Sequence, residues 1–71
     1  MSPSQLERLD ALAASLRGSR ARREADVLST GERIYVALAA DRVDLISDFT
    51  IVEALDRLGP NELVELIKRW R

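Results

Sequence analysis

A chain of 71 residues, 46% hydrophobic and 32% charged with a net charge of −1, has the composition of one small globular domain rather than a disordered segment. It contains no cysteine and no histidine, which excludes disulfides, thiolate or imidazole metal sites and imidazole-based catalysis. The core of so small a domain rarely supplies more than about 3–5 kcal/mol, so a homodimer is expected as the missing staple.

The first helix opens at Ser2. Its side chain can cap, Pro3 suits the first helical position, and Gln5 completes an S-x-x-Q box. Leu6, Leu9, Leu12 or Ala13, and Leu16 follow at spacings of three and four, opposite Glu7, Arg8, Asp10 and Ser15. This predicts an amphipathic helix over 3–17. Its stripe has two readings: packing on the rest of the chain, or a self-association seam through Leu6, Leu9 and Leu16. It is too short to claim a coiled coil.

Gly18 and Ser19 break the pattern. Arg17, Arg20, Arg22 and Arg23 form the densest charge in the chain. They read either as a solvated turn complementing the preceding helix dipole or as a contact for phosphate or a carboxylate-rich partner. A turn over 24–28 should tuck Val27 and Leu28 against the core. Residues 1–23 carry +3, residues 24–67 carry −7 and residues 68–71 carry +3, so two basic ends bracket an acidic middle.

Ser29 and Glu32 make a capping box, which starts a helix predicted over 30–41. Ile34, Tyr35 and Val36 also favour strands, but no second strand-like run exists to pair with them. Ala37, Ala39 and Ala40 leave room for a neighbouring helix. Asp41 to Asp48 reads as a connector with a turn at 43–47, pinned by Val43, Leu45 and Ile46. Thr50 and Glu53 repeat the capping box, with Phe49 and Ala54 placed as a hydrophobic staple. The helix over 50–58 stops at Gly59, in the left-handed position expected past a helix end. Pro60 opens the last helix, 60–70, whose apolar set is Leu63, Val64, Leu66, Ile67 and Trp70. Trp70 reads as a lid over the core edge or as an interface anchor, where tryptophan is enriched.

The fold class is therefore all-α: a small bundle of four short helices in a single domain, 1–71. It divides into an amphipathic first helix (1–18), a basic linker or turn (19–28) and a helical core (29–71). The expected core is Leu9, Leu16, Ile34, Leu38, Ile46, Ile51, Leu55, Leu58, Leu63 and Ile67.

No Ser-Lys pair or glycine-rich phosphate loop appears, and short helices leave little room for a substrate pocket. Neither an enzyme, a cofactor nor a small-molecule substrate is expected. Residues 50–71 have the order of a helix-turn-helix. Glu62 and Glu65 in its would-be recognition helix, and the acidic middle, disfavour nucleic acid. A small DNA-binding regulator would have to use the arginine segment in a dimer. No stretch approaches the about 18 apolar residues that span a bilayer, and no signal peptide is visible. A cytoplasmic location without a membrane partner is expected.

The segments STGE, VALAADRVDL and FTIVEALDRLGP, within residues 29–60, resemble small helical proteins encoded by bacterial phages and prophages. The resemblance implies context rather than site residues. Short phage proteins without an active site often act by binding a host protein, and inhibitors of CRISPR–Cas interference are one such class. It implies an inhibitor or modulator whose partner is another protein.

Overall fold

The computed structural model describes all of residues 1–71. The chain forms α1 (Pro3–Leu16), α2 (Arg23–Asp26), α3 (Thr30–Ala39), a 3-10 turn (Val43–Ile46), α4 (Ile51–Leu58) and α5 (Pro60–Trp70), with no strand. The fold is all-α. The turn expected at 24–28 is a single helical turn, Arg23–Asp26, which starts one residue earlier and ends two earlier. Thr50 is the cap of α4 rather than its first residue.

All three capping boxes form. In each, the cap side chain accepts from the N–H three residues on, and the Gln or Glu there accepts from the cap N–H. The distances are 3.2 and 3.4 Å for Ser2 and Gln5, 3.4 and 3.2 Å for Ser29 and Glu32, and 3.1 and 3.0 Å for Thr50 and Glu53. Each satisfies two backbone donors that a helix start would otherwise leave to water. Gly59 has φ 90° and ψ 158°, an extended mirror-image conformation open essentially to glycine alone and not the left-handed helical one. It alone turns the chain from α4 into α5.

The C-terminus of α3 closes differently. The Arg42 N–H donates to the Ala37 carbonyl at 2.8 Å and the Asp41 N–H to Leu38 at 3.2 Å, the paired bonds of a Schellman motif. Its left-handed position is filled by Asp41, at φ 56°, where glycine is usual.

α3 is the hub, packing against α1, α2, the 3-10 turn, α4 and α5. The core is one cluster of 16 residues, of which Ala13, Ala25, Ala37, Ala39, Ala40 and Ala54 are alanines. These small side chains let backbones approach, as the alanine run in 37–40 leads one to expect.

Several expected core positions lie elsewhere. Leu9, Leu16, Ile34, Ile46 and Leu58 are buried, whereas Leu38 and Leu63 are half-buried against the cluster. Ile51, Leu55 and Ile67 are exposed. α4 instead buries Ala54 and Leu58, and α5 buries Leu66. α3 turns Tyr35, Val36 and Ala37 inward beside Ile34, because partners surround it on several sides and leave only Leu38 toward the edge. Val27 is 80% exposed, contrary to expectation, and Ala25 takes the inward position of that turn. Val43 is exposed as well, and Leu45 and Ile46 alone pin the connector.

Candidate partner-binding surface

Leu6, Leu9 and Leu16 do not line a seam. Each is at most 4% exposed, packed with Ala13 into the chain's own core. The burial of this stripe within one copy removes it as an interface between two.

Arg17, Arg20, Arg22 and Arg23 are all exposed. Arg22 lies 3.7 Å from Asp26, and the other three have no carboxylate within ion-pair distance. Much of the acidic middle, by contrast, is partnered inside the chain. Asp44 pairs with Arg42 and Asp48 with Arg33, Glu65 pairs with Arg69, and Glu32 accepts from Arg8 and Gln5. The net charge of −7 over residues 24–67 already counts Arg33 and Arg42, so these pairs leave the stretch acidic, while the arginine segment keeps three unpaired cations.

The segment is held in shape by a residue outside it. The Arg42 guanidinium donates through Nη1 to the carbonyls of Leu16 and Ala21, each at 3.1 Å. Its Nε and Nη2 donate to the two Asp44 oxygens at 2.9 and 2.8 Å. One planar fork therefore closes the end of α1 and ties down the arginine loop, while a carboxylate orients it. Only 11% of the Arg42 side chain is exposed. Gly18, at φ 73°, supplies the left-handed step after α1 that starts the loop. Sequence reading missed Arg42, which acts on residues 21 and 26 positions away. Asp44, two residues on, is the only local sign of it.

Trp70 is half-buried against the core, and its indole N–H donates to Asp10 Oδ1 at 2.8 Å. Tyr35 Oη donates to the same oxygen at 2.6 Å, and Arg69 Nη1 donates to Oδ2 at 2.8 Å. Burial opposes ionisation of Asp10, yet the hydrogen bonds from Tyr35, Trp70 and Arg69 outweigh it and hold the carboxyl below its ordinary range. Burial and the adjacent carboxylate push the Tyr35 phenol up. This cluster joins α1, α3 and α5, and it leaves the indole N–H unavailable to a partner.

A cleft of about 400 Å³ lies between the start of α1 and α5, lined by Pro3, Leu6, Asn61, Glu62 and Val64 among others. No group of three carboxylates converges anywhere in the chain as a metal site would require. No helix is long and apolar enough to cross a membrane. The chain matches no family model, no curated protein and no solved structure.

Proposed function

We propose that this protein is a non-enzymatic binding module that docks on an acidic or phosphate-bearing surface of another protein through its arginine loop. One observation carries the reading: Arg17 at the end of α1, Arg20 on the loop and Arg23 at the start of α2 are exposed and unpaired around a loop that Arg42 ties at Leu16 and Ala21. Arginine forks presented on an ordered segment lose less freedom on binding than they would on a mobile tail, and their unneutralised charge steers a complementary partner. Trp70 is left out of the reading because its N–H is engaged by Asp10. The resemblance to phage and prophage proteins suggests a host protein as the target. Inhibition by occluding a surface, as by an anti-CRISPR-type protein in the cytoplasm, is the mode that suits a domain of this size.

The test is a pull-down from a bacterial lysate, with and without nuclease, comparing the native chain with Arg17→Ala/Arg20→Ala/Arg23→Ala. A protein partner that survives nuclease and is lost in the triple variant, at unchanged melting temperature, supports the reading. Capture that disappears with nuclease, together with duplex DNA binding by the native chain, makes the protein a DNA-binding regulator instead. Full retention by the triple variant removes the arginines from the interface.

A further inference from the structure

Five of the exposed large apolar side chains sit on the last two helices: Ile51, Val52 and Leu55 on α4, and Val64 and Ile67 on α5. On α4, Ile51 and Val52 each lie about one turn before Leu55, so the three share a face. Val64 and Ile67 are related in the same way on α5. Val52 is 76% exposed and Val64 54%. The core takes Ala54 and Leu58 from α4 and Leu66 from α5, with Leu63 and Trp70 half-buried against it, and leaves these five side chains exposed along its border. α4 and α5 are joined by Gly59 alone and pack against each other.

The charges beside the two faces are opposite in sign. Asp56 lies one turn after Val52. Lys68 lies one turn after Val64, and Arg71 one turn after Ile67. None of these three has an ion-pair partner within the chain. From Arg42 onward every other carboxylate side chain is engaged: Asp44 and Asp48 by arginines, Glu53 by its cap, Glu62 by the Met1 amino group at 3.7 Å, and Glu65 by Arg69. The helix pair thus carries an apolar face with a free carboxylate and an apolar face with two free cations.

We infer that two copies of this chain associate through these faces, α4 of each lying on α5 of the other about a two-fold axis. A two-fold interface makes every contact twice. Here it sets Asp56 of each copy against Lys68 and Arg71 of the other while Val52 and Leu55 cover Val64 and Ile67. A different partner would need to present both an apolar-basic and an apolar-acidic ridge. A second copy supplies both. A standard interface takes about 800 Å² from each partner, under a fifth of the 4556 Å² that the chain exposes. The association is independent of the arginine loop and its partner.

Sedimentation equilibrium between about 10 μM and about 1 mM should show the mass rising from 8.0 kDa toward twice that value. Val52→Asp, at a position too exposed to disturb the fold, should keep the far-UV spectrum and melting temperature and weaken association by about tenfold or more. Asp56→Lys alone, and Lys68→Glu with Arg71→Glu, should each weaken it, and the two sets combined should recover it. Arg17→Ala/Arg20→Ala/Arg23→Ala should leave it unchanged. A monomer across the whole range overturns the inference. So does a dimer indifferent to Val52→Asp, a combined charge reversal without recovery, or a dimer lost with the loop arginines.

Discussion

Asp10 and Trp70, 60 residues apart in sequence, are joined by a 2.8 Å hydrogen bond from the indole N–H to Oδ1. The Tyr35 hydroxyl shares that oxygen, so one carboxylate ties the last helix to the first and to the hub. Tyr35 is fully buried, and Asp10 is the acceptor of its hydroxyl proton. Tyr35→Phe should therefore cost about 1–3 kcal/mol, the range for disturbing a buried hydrogen bond to a charged group. Because both donors share one acceptor, Tyr35→Phe and Trp70→Phe should be non-additive by about 0.5 kcal/mol or more in a double-mutant cycle. Urea unfolding followed by far-UV circular dichroism measures both.

The same cluster sets an acid limit. The Asp10 carboxyl sits below its ordinary value of 3.8 in the fold, so the unfolded chain binds its proton more readily. The stability this contributes is complete above that ordinary value and is lost as pH falls through the lowered one. Glu32 behaves in the same direction, through its hydrogen bonds from Gln5 and from Ser29. Melting temperature should be nearly level from about pH 8 to about pH 5 and fall below about pH 4. Asp10→Asn should lower the plateau and flatten the acid limb. A limb of unchanged slope would show that Asp10 titrates normally.

The hub and its edge should respond differently to truncation. Ile34 is fully buried and Leu38 is not. Ile34→Ala should cost about 2–5 kcal/mol, and Leu38→Ala should fall below that range. Equal losses in chemical denaturation would mean that Leu38 is as enclosed as its neighbours.

Asp41 offers a gain. It holds the left-handed position at the end of α3 and places a negative charge at the negative end of a helix dipole. Asp41→Gly relieves both and should raise stability by about 0.5–1 kcal/mol. Asp41→Asn should keep part of that increase. A fall in melting temperature for the glycine variant would show that Asp41 makes a compensating contact.

Arg42 should matter more to the arginine loop than to the core. Arg42→Lys keeps the charge but cannot reach Leu16, Ala21 and Asp44 together, because it lacks the fork. Amide exchange should quicken over residues 17–23 in both Arg42→Lys and Arg42→Ala, with little change in α3. Unchanged exchange in the loop would show that the two carbonyl contacts do not order it.

The helix boundaries were legible because their causes are local. A capping box closes within three residues, as at Ser29 and Glu32, and Gly18, Gly59 and Pro60 interrupt a helix wherever the chain goes next. The side of each helix turned inward was less legible. The 3.6-residue period gives a face its spacing but not its direction. In α4 the apolar residues cover Ile51, Val52, Leu55 and Leu58, more surface than one neighbour can bury, and packing chose Ala54 and Leu58. The density of arginines at 17–23 was plain in the sequence. Their lack of partners, and the hold that Arg42 has on them, were not, because the carbonyls it reaches lie 21 and 26 positions away. Asp10 looked like one more polar residue on an exposed face. It became the link between three helices only when folding brought Tyr35 and Trp70 to it across 25 and 60 residues, a convergence that depends on how the helices cross and leaves no periodicity in the chain.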